Sequence, residues 1–174
     1  MSVTVSTIEA SDPQSVTAAA GQLGGHIAEL EAAAAEQRAV LARVDAAWQA
    51  TGGEAAAETA ELDIAAQVEL RTRLESVRAA LTTGGAHLDA IRVGLMELVT
   101  ALRAMGWTVT DDGFAVAPLF PPVLAQFEPG FTAVIQRLLA LFDQVDTGTA
   151  QAVSAAVDYL SLIHISEPTR RYAI

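Results

Sequence analysis

Apolar residues recur in this chain at alternating steps of four and three along two long runs. The first run is Val16, Ala20, Leu23, Ile27, Leu30, Ala34, Gln37, Leu41, Val44 and Trp48. The second is Leu70, Leu74, Val77, Leu81, Gly84, Leu88, Ile91, Leu95, Leu98, Leu102 and Met105. This alternation is the heptad period of a helix with a single apolar seam. Between the runs lies Ala47-Trp48-Gln49-Ala50-Thr51-Gly52-Gly53-Glu54, and a glycine pair there ends one helix and lets the chain reverse. The spacing predicts an all-α fold built on a long, coiled-coil-like antiparallel hairpin of two helices. Trp48, Gly52 and Gly53 would form its tip, and Leu30 and Leu74 would be buried between facing seams.

Composition agrees with a seam and not with a deep core. Of the 174 residues 52% are hydrophobic, yet only 5% are aromatic, so alanine carries much of the apolar content. Alanine helices approach closely and bury little area each, which makes a long seam the substitute for bulk. Cysteine is absent, which excludes disulfides and thiolate metal sites. The formal net charge is −11, and every basic residue is Arg. That balance argues against binding nucleic-acid phosphates and against attraction to anionic membrane surfaces. No basic segment followed by an apolar one opens the chain, so no cleaved secretory signal is visible. The most apolar stretches are interrupted by Arg92, Glu97 and Arg103, or by Gln136 and Arg137, and no membrane span is expected.

Taken in order, residues 1–10 alternate Val3, Val5 and Ile8 with Ser and Thr and predict an extended arm. Ser11-Asp12-Pro13 is a helix start, and residues 11–105 form the helical hairpin. Gly24-Gly25 lies in phase with the first seam, so one helix is expected to pass through it. Residues 55–67, rich in Ala and Glu, fall out of strict phase and predict a stutter. Thr82-Thr83-Gly84-Gly85 is expected to bend the second helix without breaking it. From Ile91 to Met105 apolar positions nearly encircle the helix, so something beyond the first helix must pack there. Residues 106–122 predict a short β-hairpin about Asp112-Gly113, followed by a proline-rich loop. Residues 123–159 predict one or two further helices. The first carries Phe131, Val134, Ile135, Leu138, Leu141, Phe142 and Val145 as a lid for the apolar end of the second long helix. Thr147-Gly148 is expected to separate it from a last Ala-rich helix.

Residues 160–174 stand apart. Leu160-Ser-Leu-Ile-His-Ile-Ser-Glu-Pro-Thr-Arg170 resembles the in-frame translation of a transposase sequencing adaptor. The resemblance implies that the natural protein continues past about Tyr159 and that His164 belongs to no functional argument.

Nothing in the sequence forms a catalytic or cofactor-binding constellation, and no cofactor is expected. His26 and His87 stand alone beside seam positions, without a second ligand at metal spacing. Asp111-Asp112-Gly113 lacks the ligand ladder of an EF-hand and is expected to be a turn. The acidic residues from Glu29 to Glu75 are expected to be solvated helix surface. Trp48 continues the seam and so caps its end, or it is a recognition tip for a partner; the two roles are compatible.

The two long helical runs and the Trp48…Gly52-Gly53 turn resemble the WXG100 superfamily of type VII secretion substrates. The resemblance covers about Ser11–Met105. The turn departs from the family pattern, because the glycine comes two residues late after Trp48. Glu54-Ala-Ala-Ala-Glu58 fits the family's start of the second helix. A Tyr-x-x-x-Asp/Glu export signal is expected after the hairpin, here or on a partner, and none stands in this chain: Tyr159 runs into the adaptor-like tail and Tyr172 lies within it. The hairpin followed by Trp107-Thr-Val-Thr-Asp-Asp-Gly113 also resembles N-terminal modules of longer actinobacterial proteins with hydrolase or toxin domains downstream. The resemblance implies a helical targeting and partner-binding module that is not itself an enzyme. It also implies export by a signal-peptide-independent route and a protein partner, either a second helical hairpin in a homo- or heterodimer or the secretion machinery. An intracellular coiled-coil adaptor is the alternative.

Overall fold

The computed structural model of the chain describes residues 3–47 and 53–166, with side chains described for 3–43 and 59–158. The described residues are mostly helical, with one small antiparallel sheet. In chain order they form α1 (Val5–Ala10), α2 (Pro13–Ala47), α3 (Gly53–Ala104), β1 (Thr108–Val109), β2 (Ala115–Val116), a 3-10 helix (Pro122–Phe127) and α4 (Glu128–Ser166). Two compact units result, one of Met1–Thr17 with Leu81–Gln151, the other of Ala18–Ala80 with Ala152–Ile174.

The first unit holds the bulky core. Leu88, Ile91, Leu95, Val99 and Leu102 of α3 meet Val5 and Ile8 of α1 and Ile135, Leu139 and Phe142 of α4, with Trp107 and Ala115 from the hairpin. Among the described residues this core contains no side chain of α2. The second seam is therefore covered from Leu88 onward by α1, the β-hairpin and α4, where the sequence suggested the first long helix. The covering of the apolar end of α3 by the helix after residue 128 matches the expectation of a lid. Its buried ridge is Ile135, Leu139 and Phe142, while Val134 and Leu141 face outward.

Residues 5–10 are helical, which corrects the expected extended arm. Val5 and Ile8 are three apart, so one helical turn brings both to the same buried face. Thr4 caps the turn by accepting from the Thr7 N–H at 3.3 Å. The turn of the β-hairpin secures its first donors: the Asp111 carbonyl accepts from Val5 N at 2.9 Å, and Asp111 Oδ1 accepts from Ser6 N at 2.7 Å. That Ser6 N–H holds the Asp111 carboxyl below the usual carboxylate range. The helix start expected at Ser11-Asp12-Pro13 is present: Asp12 caps α2 by accepting from the Ser15 N–H at 3.3 Å, Pro13 is its first residue, and Ser11 closes α1.

The end of α3 explains how the hairpin is placed. Gly106 has φ +82°, its N–H reaches the Arg103 carbonyl at 3.0 Å, and Trp107 N–H reaches the Leu102 carbonyl at 3.0 Å. These are the two bonds of a Schellman cap, and Trp107 and Leu102 both belong to the buried core cluster. The helix end thus delivers Trp107 into the core. β1 and β2 pair with Thr108 opposite Val116 and Val109 opposite Ala115, and Gly113 at φ +83° makes the turn foreseen at Asp112-Gly113.

One further connection differs from expectation. α4 runs through Thr147-Gly148 without a break. A glycine costs a helix interior only about 1 kcal/mol relative to alanine, too little to end a helix held on both sides. Thr149 Oγ1 also donates to the Val145 carbonyl at 2.7 Å and keeps within the helix. α3 continues unbroken through Gly84-Gly85 and α2 through Gly24-Gly25, as the spacing leads one to expect.

The N–H groups of Ala115 and Ala117 are satisfied from α4, by Thr132 Oγ1 at 3.0 Å and by Glu128 Oε1 at 2.8 Å. Ala115 is buried, so Thr132→Val should strand its N–H and destabilise the fold by about 1–3 kcal/mol, whereas Thr132→Ser should not. Urea denaturation of the three proteins measures this; equal stability of the valine and serine variants would show that the bond contributes nothing.

Candidate functional site

In the second unit α2 and α3 touch at Gly24 with Arg78, Glu31 with Arg71, and Gln37 with Gln67. Numbers rise on one helix as they fall on the other, the order of an antiparallel pair. Arg71 Nη1 lies 2.8 Å from Glu31 Oε1, and its Nε is 3.4 Å from Glu75 Oε1. These groups are partly solvated, so the pairs fix register more than they stabilise. The Gln37–Gln67 amide bond, 2.7 Å long and partly buried, adds direction to the same register.

Burial along α2 follows Ala20, Ile27 and Ala34, each seven residues from the last. Leu23 and Leu41 are half-buried, as are Leu70 and Leu74 on α3, while Val77 is buried. Leu30 corrects the expected seam: it is 42% exposed. It lines an open groove of about 270 Å³ together with Ala33, Ala34, Gln37, Val68 and Leu70. The alanines at 33 and 34 are too short to close that space, and Leu30 stays at its wall. In the first unit Leu88, Ile91, Leu95 and Leu102 are buried, and Leu81 and Leu98 are half-buried. Met105, the last step of the spacing, is exposed.

Trp48 and Gly52 lie outside the described residues, and the side chain of Val44 does too. Gly53 is the first residue of α3.

A second surface lies in the first unit, where the loop after β2 carries Leu119 at 89% and Phe120 at 84% exposure. Val123 and Phe127 of the 3-10 helix are exposed beside them in sequence. The prolines mark a loop here, and its large apolar side chains stand outside any helical or strand period. The available signal was two adjacent bulky residues followed by Pro121-Pro122, a geometry that cannot turn both inward.

Among the described residues no group of three His, Asp or Glu side chains is arranged to hold a metal ion. His26 is an exposed helix residue 3.3 Å from Glu29, and His87 is exposed. No described helix is long and apolar enough to cross a membrane. The groove at Leu30 is apolar area beside the Arg71–Glu31 ion pair. Comparison of the chain with protein-family models, curated proteins and solved structures finds no match.

Proposed function

We propose that this chain is a helical targeting and partner-binding module of a type VII secretion substrate, without catalysis of its own. The observation that carries the reading is the opposed order of contacts between α2 and α3, at Gly24–Arg78, Glu31–Arg71 and Gln37–Gln67. That order, with the Trp48-to-Gly53 connection between the helices, is what a hairpin of the WXG100 type requires. The groove at Leu30 and Val68 supports a helical protein partner, because a knob from a third helix fills a space that alanines leave open. The partner is a second helical hairpin or a component of the export machinery, and the destination is the cell surface or medium. An intracellular coiled-coil adaptor, or the leading part of a secreted hydrolase or toxin, shares this geometry; export separates the first from the others.

The test is expression of the chain in a host with a type VII apparatus, with its appearance in the medium measured. Trp48→Ala should leave far-UV helicity intact and reduce export at least tenfold, equivalent to about 1.4 kcal/mol of lost recognition. Export equal to that of the wild type would remove Trp48 from recognition and leave it as the cap of the seam. Retention of the wild type in the cytoplasm would favour the adaptor.

A further inference from the structure

The loop of residues 118–127 is the part of the described surface least suited to water. Leu119 and Phe120 stand almost wholly in solvent, and Val123 and Phe127, four apart in the 3-10 helix, are at least half exposed. Apolar groups grouped in this way mark a surface that associates with something. Leu124, by contrast, packs against the core and ties the loop down.

Three observations decide what the loop meets. First, no charged residue occurs from Gly113 to Phe127, so nothing ionised has to leave water with it. Second, Pro118, Pro121 and Pro122 have no N–H, and Leu124 N–H is bonded to the Pro121 carbonyl at 3.1 Å. Backbone donors without partners are the main cost of moving irregular chain into an apolar phase, and this loop has shed several of them. Third, Gln126 is the one side chain between 118 and 127 able to hydrogen-bond. A protein interface carries about one hydrogen bond per 100–200 Å², and this loop has little with which to make them. Its chemistry fits the boundary layer of a bilayer better than a protein face.

Charge then selects the lipid. The flanking ionisable residues are Asp111, Asp112 and Glu128, and the chain as a whole carries −11. An anionic surface repels such a molecule. We propose that the 118–127 loop inserts Leu119 and Phe120 into the interfacial layer of a neutral or zwitterionic lipid surface. The chain lies on the membrane through this wedge and does not span it.

The experiment is cosedimentation of the full chain with phosphatidylcholine vesicles and with vesicles of phosphatidylcholine mixed with phosphatidylglycerol. The wild type should bind the phosphatidylcholine vesicles with little dependence on salt, and the mixed vesicles more weakly at low salt than at high salt. The double variant Leu119→Ser, Phe120→Ser should lower partitioning at least about tenfold while melting as the wild type does. Phe120→Trp keeps the wedge apolar; it should bind as the wild type does, with a blue shift of emission on adding vesicles. Absence of binding to phosphatidylcholine, equal binding by the double variant, or tighter binding to the mixed vesicles overturns the proposal. So does a concentration-dependent dimer that the double variant abolishes, since a second copy would then cover the loop.

Discussion

Trp107→Ala is expected to cost the fold about 3–5 kcal/mol, the range for truncating a buried large aromatic. Trp107 is 5% exposed and meets Phe131 edge to face, with ring centroids 5.1 Å apart and planes at 79°. It also sits one residue past Gly106, and its own N–H, bonded to the Leu102 carbonyl, is part of what closes the end of α3. Removing the indole leaves a void in the cluster it shares with Leu95, Val99, Leu102 and Ile135, and a close-packed interior collapses only partly into such a space. Leu30→Ala is the control. Leu30 is 42% exposed at an open groove, so its loss should stay under about 1.5 kcal/mol. Chemical denaturation followed by circular dichroism compares the two; equal losses would mean that the core does not lie where Trp107 places it.

The second large effect has a sign opposite to the one helix propensity predicts. Gly→Ala in the middle of a helix normally stabilises it by about 1 kcal/mol. Gly25→Ala on α2 should behave so, because a Cβ there meets nothing within 4 Å. Gly84→Ala on α3 should instead destabilise by about 1–3 kcal/mol, the usual cost of overpacking. A Cβ at Gly84 would collide with Thr149 of α4, with Cγ2 at 2.6 Å and Cβ at 2.9 Å as well as the Oγ1. Thr149→Ala should recover part of the loss, giving a coupling energy in a double-mutant cycle. At Gly85 the relief should be smaller, since a Cβ there meets backbone of α2, at Thr17 N (3.1 Å) and Pro13 O (3.3 Å), besides the Thr17 hydroxyl. Thermal melts of the single and double variants measure all of this. Stabilisation by Gly84→Ala would show that α3 and α4 do not approach so closely there.

The glycines also show what the sequence could and could not tell. A bend is expected at Gly84-Gly85 because propensity sees only the cost within its own helix. Their use is between helices, which no local pattern records. The β-hairpin was legible because Asp112-Gly113 is a local signal and its turn needs a positive φ that glycine supplies. The helical runs were legible because periodicity is local as well. Which residues cover a periodic face was not. From Leu88 to Leu102 the spacing announced an apolar face, and the partners proved to be α1, the hairpin and α4. The short α1 was missed because two β-branched residues at alternate positions mimic a strand; the Thr4 cap and the Asp111 carboxylate that decide for helix lie partly far away in sequence. At the candidate surface, Leu30 followed the period and still faced the groove, because burial depends on what stands opposite and not on spacing alone.

The bonds from α4 to the second strand have a consequence beyond local stability. A two-stranded sheet has a free edge on each side, and unpaired amides along an edge are a template on which another chain can add a strand. At β2 and just past it the Ala115 and Ala117 amides are already engaged by Thr132 and Glu128, so an incoming backbone would have to break those bonds to pair there. Growth of the sheet from that side is blocked without any charge on the strand itself. The same uncharged stretch thus carries Phe114, Val116, Leu119 and Phe120 in solvent with one of the sheet's two edges already closed to an added strand.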